Sequence, residues 1–119
     1  MRTGLLAVLV VLGIVGSGPG YGWQPLNQHR QANGLNGLNP SEALQAAALL
    51  HAQDMVRRNY FDHVSPEGQG VADRARAAGY SWCLIAENIA QGQRTEAEVF
   101  EAWRNSPGHN RNMLLDRAR

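Results

Sequence analysis

The sequence contains no lysine at all: each of its 11 basic side chains is an arginine, set against 10 acidic ones for a formal net charge of +1. The uniform choice of arginine, beside abundant alanine, reads as a bias of genome composition. The arginines are scattered, and loss of Arg2 would bring the charge to about zero. No basic stripe is present to track a nucleic-acid backbone or to hold an anionic lipid surface. Cysteine is nearly absent too. Cys83 is alone, which excludes an internal disulfide framework and leaves an intermolecular bridge, a reactive thiol or a partner lying elsewhere.

Long apolar runs are missing as well. The longest, residues 5–15, falls short of the ~20 residues a helix needs to cross the hydrocarbon core. Arg2 precedes it and the small, flexible "GSGPG" follows, the order of charged, apolar and cleavage regions in a secretory signal. Residues 1–22 are therefore expected to be a signal peptide, with an uncleaved anchor as the alternative. No cysteine follows the apolar run to carry a lipoprotein anchor. No stable membrane insertion is expected once the signal is removed. There is no internal repeat and no low-complexity segment, and the length allows one domain.

The remainder, residues 23–119, carries helix punctuation at regular intervals. "WQPLNQHRQANG" has a proline in its first turn and stops at Gly34. Asn39 is expected to cap the next helix, with Pro40 at its first position and Glu42 completing a capping box. That helix, "PSEALQAAALLHAQDMVRRNY", aligns Leu44, Ala48, His51 and Met55 in one stripe, with Ala47, Leu50 and Asp54 beside it. Arg57 and Arg58 fall in its last turn, where the helix dipole favours cations. "FDHVSPEGQG" is a turn region, and "VADRARAAGY" a short helix closed by Gly79. "SWCLIAENIA" is the strand candidate. Thr95 and Glu98 form a second capping box ahead of a helix that buries Val99, Phe100 and Trp103. Ser106 is expected to cap a final helix with Pro107 at its first position.

Three polar residues sit where a purely structural residue fits poorly. His63 follows Tyr60-Phe61 at the edge of a turn, Glu87 interrupts an apolar run, and His109 lies in the first turn of the last helix. A carboxylate in an apolar strand costs several kcal/mol, on the order of 2–7, unless it is paired or hydrogen-bonded, so Glu87 requires a partner. Two imidazoles and a carboxylate can form a metal site with an open position, or a base with its orienting groups. Their wide spacing, with no HExxH-type ligand pair, favours a structural reading on spacing alone: a Glu87 bonded to backbone amides and two loop-bonding histidines. His51 lies on a packing stripe and reads as a satisfied core or boundary histidine, and His29 as an exposed residue of the first helix. Ser65 and Ser106 precede prolines and read as caps. Cys83, between Trp82 and Leu84, has no helix start or glycine elbow to expose it and lower its pKa, which argues against a nucleophile.

Taken in order, "LNQHRQANGLNGL", "FDHVSPEGQGVADRARAAGY", "AENIAQG" and "VFEAWRNSPGHNRNML" resemble the CAP domain, also called the SCP-like extracellular domain, in its bacterial branch. The resemblance covers roughly residues 24–119. It implies an α+β fold, a three-layer α-β-α sandwich, in a secreted or cell-envelope protein. It also implies a cleft lined by His, Glu, Glu and His, whose histidines hold Zn2+ in some members. Residue by residue, the first histidine falls on His63, the first glutamate on Glu87 and the second histidine on His109. The second glutamate does not carry over: Ser106 occupies its place, and Glu98 and Glu101 lie on the wrong side of Trp103.

Relatives continue past "NML" with a glycine-valine segment and an aromatic closing strand that supply the centre of the sheet. The expectation is that these central strands are missing here, that residues 23–119 are a partial domain, and that a partner for Cys83 lay downstream. The chain alone is then expected to fold poorly, since isolated strands are not independently stable. Two functions follow. One is a binding module for a cell-wall component, lipid or protein, with no nucleic acid involved. The other is a zinc hydrolase, peptidase-like, in which His63 and His109 hold the metal and Glu87 is the candidate catalytic group.

Overall fold

A computed structural model describes residues 10–11 and 23–118. The elements run β1 (Val10–Val11), α1 (Trp23–Ala32), α2 (Glu42–Arg58), α3 (Val71–Ala77), β2 (Glu87–Asn88), α4 (Glu96–Arg104) and α5 (Pro107–Met113). The apolar leader and any signal cleavage fall almost wholly outside the described residues. Of that stretch only β1 is described, pairing antiparallel with β2 in the register Val10 to Asn88 and Val11 to Glu87. Among the described residues no helix is long and apolar enough to cross a membrane.

Local chemistry accounts for most helix limits. Helix α1 ends before Gly34, whose φ of +76° is a left-handed conformation open to glycine. Helix α2 starts later than Asn39 and Pro40 suggest. Ser41 is its cap, accepting from the Leu44 amide at 3.3 Å, because a hydroxyl two residues further on reaches the orphan N–H groups of the first turn. Its C-cap is Asn59 at φ 55°, a conformation asparagine tolerates. Helix α3 closes through Gly79 at φ +83°. Thr95 caps α4 through the Glu98 amide at 3.2 Å, but the Glu98 carboxylate accepts from the Arg94 amide at 2.7 Å rather than from Thr95 itself.

The strand candidate 81–90 contracts to Glu87–Asn88, and residues 81–86 run as irregular chain. What survives is its alternation. Successive side chains of extended backbone point to opposite faces, and residues 87–90 divide the molecule on that rule. Ile89 joins an apolar cluster of Leu44, Ala48 and Met55 from α2 and Ala75 from α3. Ala90 joins the other, built on Leu26 of α1, Val99, Phe100 and Trp103 of α4, and Met113 of α5. Helices α2 and α3 thus lie on one side of a thin extended layer and α1, α4 and α5 on the other, an α-β-α stack in miniature.

Polar residues of α1 lock the second layer. Arg30 is fully buried; its guanidinium donates to the carbonyls of Met113 at 2.9 Å and Leu115 at 2.8 Å, satisfying acceptors left unpaired where α5 ends. Asn27 accepts from the Leu38 amide at 2.7 Å and donates to its carbonyl at 3.1 Å. His29 is not free on the surface as expected. Its Nε2 meets Asn110 Oδ1 at 2.7 Å, tying α1 to α5. On α2 the packing stripe is Leu44, Ala47, Ala48, His51, Ala52 and Met55, whereas Leu50 is 66% exposed because it points away from both clusters.

These burials set a contrast that denaturant melts can check. Trp103→Ala, which empties the centre of one cluster, is expected to cost about 3–5 kcal/mol. Leu50→Ala is expected to stay within about 0.5 kcal/mol of the parent. Similar losses for both would contradict the packing described.

Candidate functional site

The alternation that divides the cores also distributes the candidate site. Glu87 shares a face with Ile89 and is directed at α3 and the loop before it; Asn88 shares a face with Ala90 and is directed at α5. Glu87 is almost completely buried, its side chain 3% exposed, and both carboxylate oxygens are engaged. His63 Nδ1 lies 2.7 Å from Oε1. Because a carboxylate can only accept, Nδ1 carries the hydrogen and the other ring nitrogen, Nε2, presents its lone pair outward in the neutral imidazole. Oε2 is held by the Arg74 guanidinium.

Arg74 is the residue the sequence reading missed. Buried on α3 with its side chain 10% exposed, it pairs with Glu87 and also donates to the carbonyls of His63 at 2.9 Å and Gln69 at 3.1 Å. One guanidinium therefore neutralises the buried carboxylate and fixes the loop that carries its imidazole partner. The available signal was Glu87's need for compensation together with an arginine on the inner side of a short helix, but nothing in the spacing identifies which arginine.

His51 supports the same loop from α2. It is buried, and its Nε2–H donates to the Asp62 carbonyl at 2.8 Å, one residue before His63. Burial in the first place pulls its pKa below the ordinary histidine value, so the neutral ring is the native form. Tyr60 donates to Asp54 at 2.7 Å, and burial followed by that bond raises its hydroxyl to about 12. Ser65 acts as read, in a turn: its Oγ accepts from the Gln69 amide at 3.1 Å.

His109 reaches the site along the other face. Its carbonyl accepts from Asn88 Nδ2 at 3.1 Å, and Asn112 donates to Asn88 Oδ1 at 2.9 Å. The imidazole stacks on Trp103, with ring centroids 6.3 Å apart and planes at 26°. Its Nδ1 lies 2.8 Å from Ser106 Oγ. Ser106 stands at the cap position of α5, yet its side chain makes no capping bond; the hydroxyl orients the histidine instead. Desolvation lowers the His109 pKa, and the nearby charge of His63 adds to the effect. Of the two imidazoles only that of His63 is bonded to Glu87.

As a metal set, the donors are sparse. Among the described residues no group of three or more His, Cys, Asp or Glu side chains is arranged to hold an ion. His63 and His109 supply two imidazoles, each with Nδ1 bonded to an orienting group, and Glu87 serves as one of those groups instead of a ligand. A carboxylate behind a histidine fixes the tautomer of the ring it holds, and Glu87 does this for His63 alone. Cys83 is exposed, contrary to what its apolar neighbours suggest, because residues 81–84 lie on the surface.

A sandwich of helices about a thin extended layer, with a buried glutamate on that layer and histidines presented from a loop and from the first turn after Ser-Pro-Gly, defines a class of α-β-α domain. The chain belongs to the cysteine-rich secretory protein family, CAP, whose family model matches residues 23–119. It is similar to the uncharacterized protein YkwD of Bacillus subtilis, 44% identical over 88 residues that make up 74% of this chain and 34% of that protein. It is also similar to the uncharacterized membrane protein YlbC of the same organism, 32% identical over 88 residues, 74% of this chain and 25% of that one. A solved structure of an extracellular protein containing an SCP domain, from Bacillus anthracis, superposes with a TM-score of 0.74 at 31% identity, covering 76% of this chain and 30% of that one. The chain therefore spans about a third or less of the length of these relatives.

Two outcomes follow from the site. Arg74→Gln leaves Glu87 buried without its cation and is expected to cost about 3–5 kcal/mol, with Arg74→Lys losing less, measured by urea unfolding; a Gln variant as stable as the parent would contradict the pairing. The second concerns pH. Above the unfolded histidine value of 6.5, His51 and His109 are neutral in both states. As pH falls below it, the unfolded chain gains protons that the native rings resist, so stability declines until the lowered native values are reached and then levels off. His51→Gln should flatten that decline in thermal melts between pH 7 and 5.

Proposed function

We propose that this CAP domain acts outside the cytoplasm, secreted or held in the cell envelope, as a recognition module. Its ligand, a cell-wall component, lipid or protein, would be gripped by His63 and His109, with Glu87 holding the His63 ring from behind. The observation that carries this reading is the state of Glu87. Both of its oxygens are occupied, one by His63 and one by Arg74, and the carboxylate lies buried beneath the histidine. A general base must offer a free oxygen within reach of the proton it removes, whereas Glu87 is built to orient an imidazole. His63 itself is half exposed and presents Nε2 to an incoming group. The other carboxylate of the family cleft is replaced by Ser106, which orients His109.

The alternative, a zinc-dependent hydrolase, is favoured by the same fixed tautomer. His63 and His109 would hold the ion, and Zn2+ bound there would supply an activated water and a Lewis acid for a carbonyl. The chain's own part would be limited to Glu87 holding the His63 ring and Ser106 holding that of His109.

The two readings separate in one set of measurements. The recognition module is expected to be retained on purified bacterial cell-wall sacculi or on neutral phosphatidylcholine vesicles, with retention lost in His63→Ala and His109→Ala variants, and to turn over no peptide or ester above background. Stoichiometric zinc that disappears in the double variant, together with zinc-dependent peptide or ester hydrolysis, would replace this reading with the hydrolase.

A further inference from the structure

Both ring nitrogens of His51 face one short segment, residues 60–62, which leads from the end of α2 to His63. Nε2–H donates to the Asp62 carbonyl at 2.8 Å. Nδ1 faces the Tyr60 hydroxyl oxygen at 3.5 Å, and the two rings meet edge to face with centroids 6.0 Å apart. His51 itself is 2% exposed. The loop it holds has little packing of its own beyond Tyr60, since Phe61 is 42% and Val64 46% exposed. Polar bonds more than apolar burial keep it closed, and a stretch secured in that way opens before the packed core does.

The neutral ring suits this place and the charged ring does not. A second proton would sit on Nδ1, where the atom opposite is the Tyr60 hydroxyl at the outer limit of a hydrogen bond, its own proton given to Asp54 at 2.7 Å. That hydroxyl stays protonated throughout, being raised to about 12. The carboxylates nearby already have partners. On α2, Asp54 is paired with Arg57 and Arg58; on β2, Glu87 is occupied by His63 and Arg74; in the loop, Asp62 accepts from the Val64 amide at 2.9 Å. Two cations oppose a third: Arg74 from α3, and Arg58, which stands 6.0 Å over the Tyr60 ring. A buried imidazolium without a free counter-charge is costly, and the cost is relieved when residues 60–62 move aside and water reaches His51.

We propose that His51 is an acid-sensitive latch, which on protonation releases residues 60–62 and loosens the loop that presents His63. The sign follows from linkage. Above the ordinary histidine value of 6.5 the ring is neutral whether the loop is closed or open, and the latch is shut. Below it the ring open to water takes a proton that the buried ring resists. The open fraction then rises by up to about tenfold per pH unit until the lowered native value is reached. On the recognition reading given above, the cleft would release its ligand on acidification.

The test is amide hydrogen exchange on the full chain between pH 7 and 5, with rates corrected for the intrinsic pH dependence of exchange. The reporters are the Tyr60 amide, which donates to the Met55 carbonyl at 3.1 Å, and the Val64 amide, which donates to Asp62. The Tyr80 amide, which donates to the Ala75 carbonyl at 3.0 Å, is the reference outside the loop. Protection at Tyr60 and Val64 is expected to fall severalfold or more relative to Tyr80 as the pH drops, with a midpoint that follows the His51 ring titration seen by 15N NMR. His51→Gln keeps a donor for the Asp62 carbonyl but takes no proton, so its protection ratio should not change with pH. His109→Gln should keep the parent's response. A constant ratio in the parent, equal loss at Tyr80, or a response that persists in His51→Gln or vanishes in His109→Gln would overturn the latch. The coincidence of the two midpoints in the unsubstituted protein decides the matter even if His51→Gln folds poorly. Retention on cell-wall sacculi is measured separately, so the latch stands or falls on the exchange data and the recognition reading on retention.

Discussion

A carboxylate placed in the layer between two helical faces has to be neutralised where it stands, and much of this structure is arranged around that requirement. Glu87 cannot reach water. Its charge is met by Arg74 from α3 and its remaining oxygen by His63 from the loop ahead of α3. To hold those partners the loop is itself tied down, by His51 through the Asp62 carbonyl and by Arg74 through the carbonyls of His63 and Gln69. Losing one member of such a set leaves an uncompensated charge, which costs more than the net value of the pair. The bonds around Glu87 therefore act together, and the position of His63 is a consequence of the electrostatics beneath it.

The next residue transmits the same order to the opposite face. Asn88 is fixed by Asn112 and in turn holds the His109 carbonyl, while Ile89 and Ala90 enter the two apolar clusters. Trp103 joins these levels: it fills one cluster, donates its Nε1–H to the Ile89 carbonyl at 3.2 Å, and gives His109 a flat surface to stack on. The "ENIA" and "SPGH" segments are thus coupled by geometry. Each residue of the short extended segment has one assignment, and a shift of register by one position would exchange the site face with the other layer.

Helix order was legible in the sequence because it rests on local rules, apolar spacing, proline at a first turn and glycine after a last one, and the family was legible through the resemblance of the "HVSP", "ENIA" and "SPGH" segments. Placement of the helix-starting residue was less secure. Asn39, Pro40 and Ser41 are all acceptable near a helix start, and it is Ser41 whose hydroxyl accepts from the first-turn amide of Leu44. The extent of the strand was overread, since a run of apolar residues does not show where a hydrogen-bonding neighbour begins and ends. Glu87 could be singled out as a residue in need of a partner, and His63, singled out beside it, is one of its two partners. Arg74 and the positioning role of His51 were not legible, because both act across the fold through backbone carbonyls, which no side-chain motif records. His29, read as a surface residue, binds Asn110, a contact made only when α1 and α5 meet.

Ser106 lends its hydroxyl to the His109 ring instead of to the start of α5. A hydroxyl at that position cannot carry negative charge, so it neither strengthens a cation site nor serves as a base at neutral pH. It can still take part in a hydrogen bond with Nδ1 of His109 and so fix the direction of the ring. The outcome is two imidazoles held by their Nδ1 atoms, one by an ionised group that is already neutralised and one by an uncharged group. A pair supported in that way presents nitrogen lone pairs or N–H donors to a ligand with little net charge behind them. Nitrogen atoms fixed in that way act through the direction of their hydrogen bonds more than through attraction for charge.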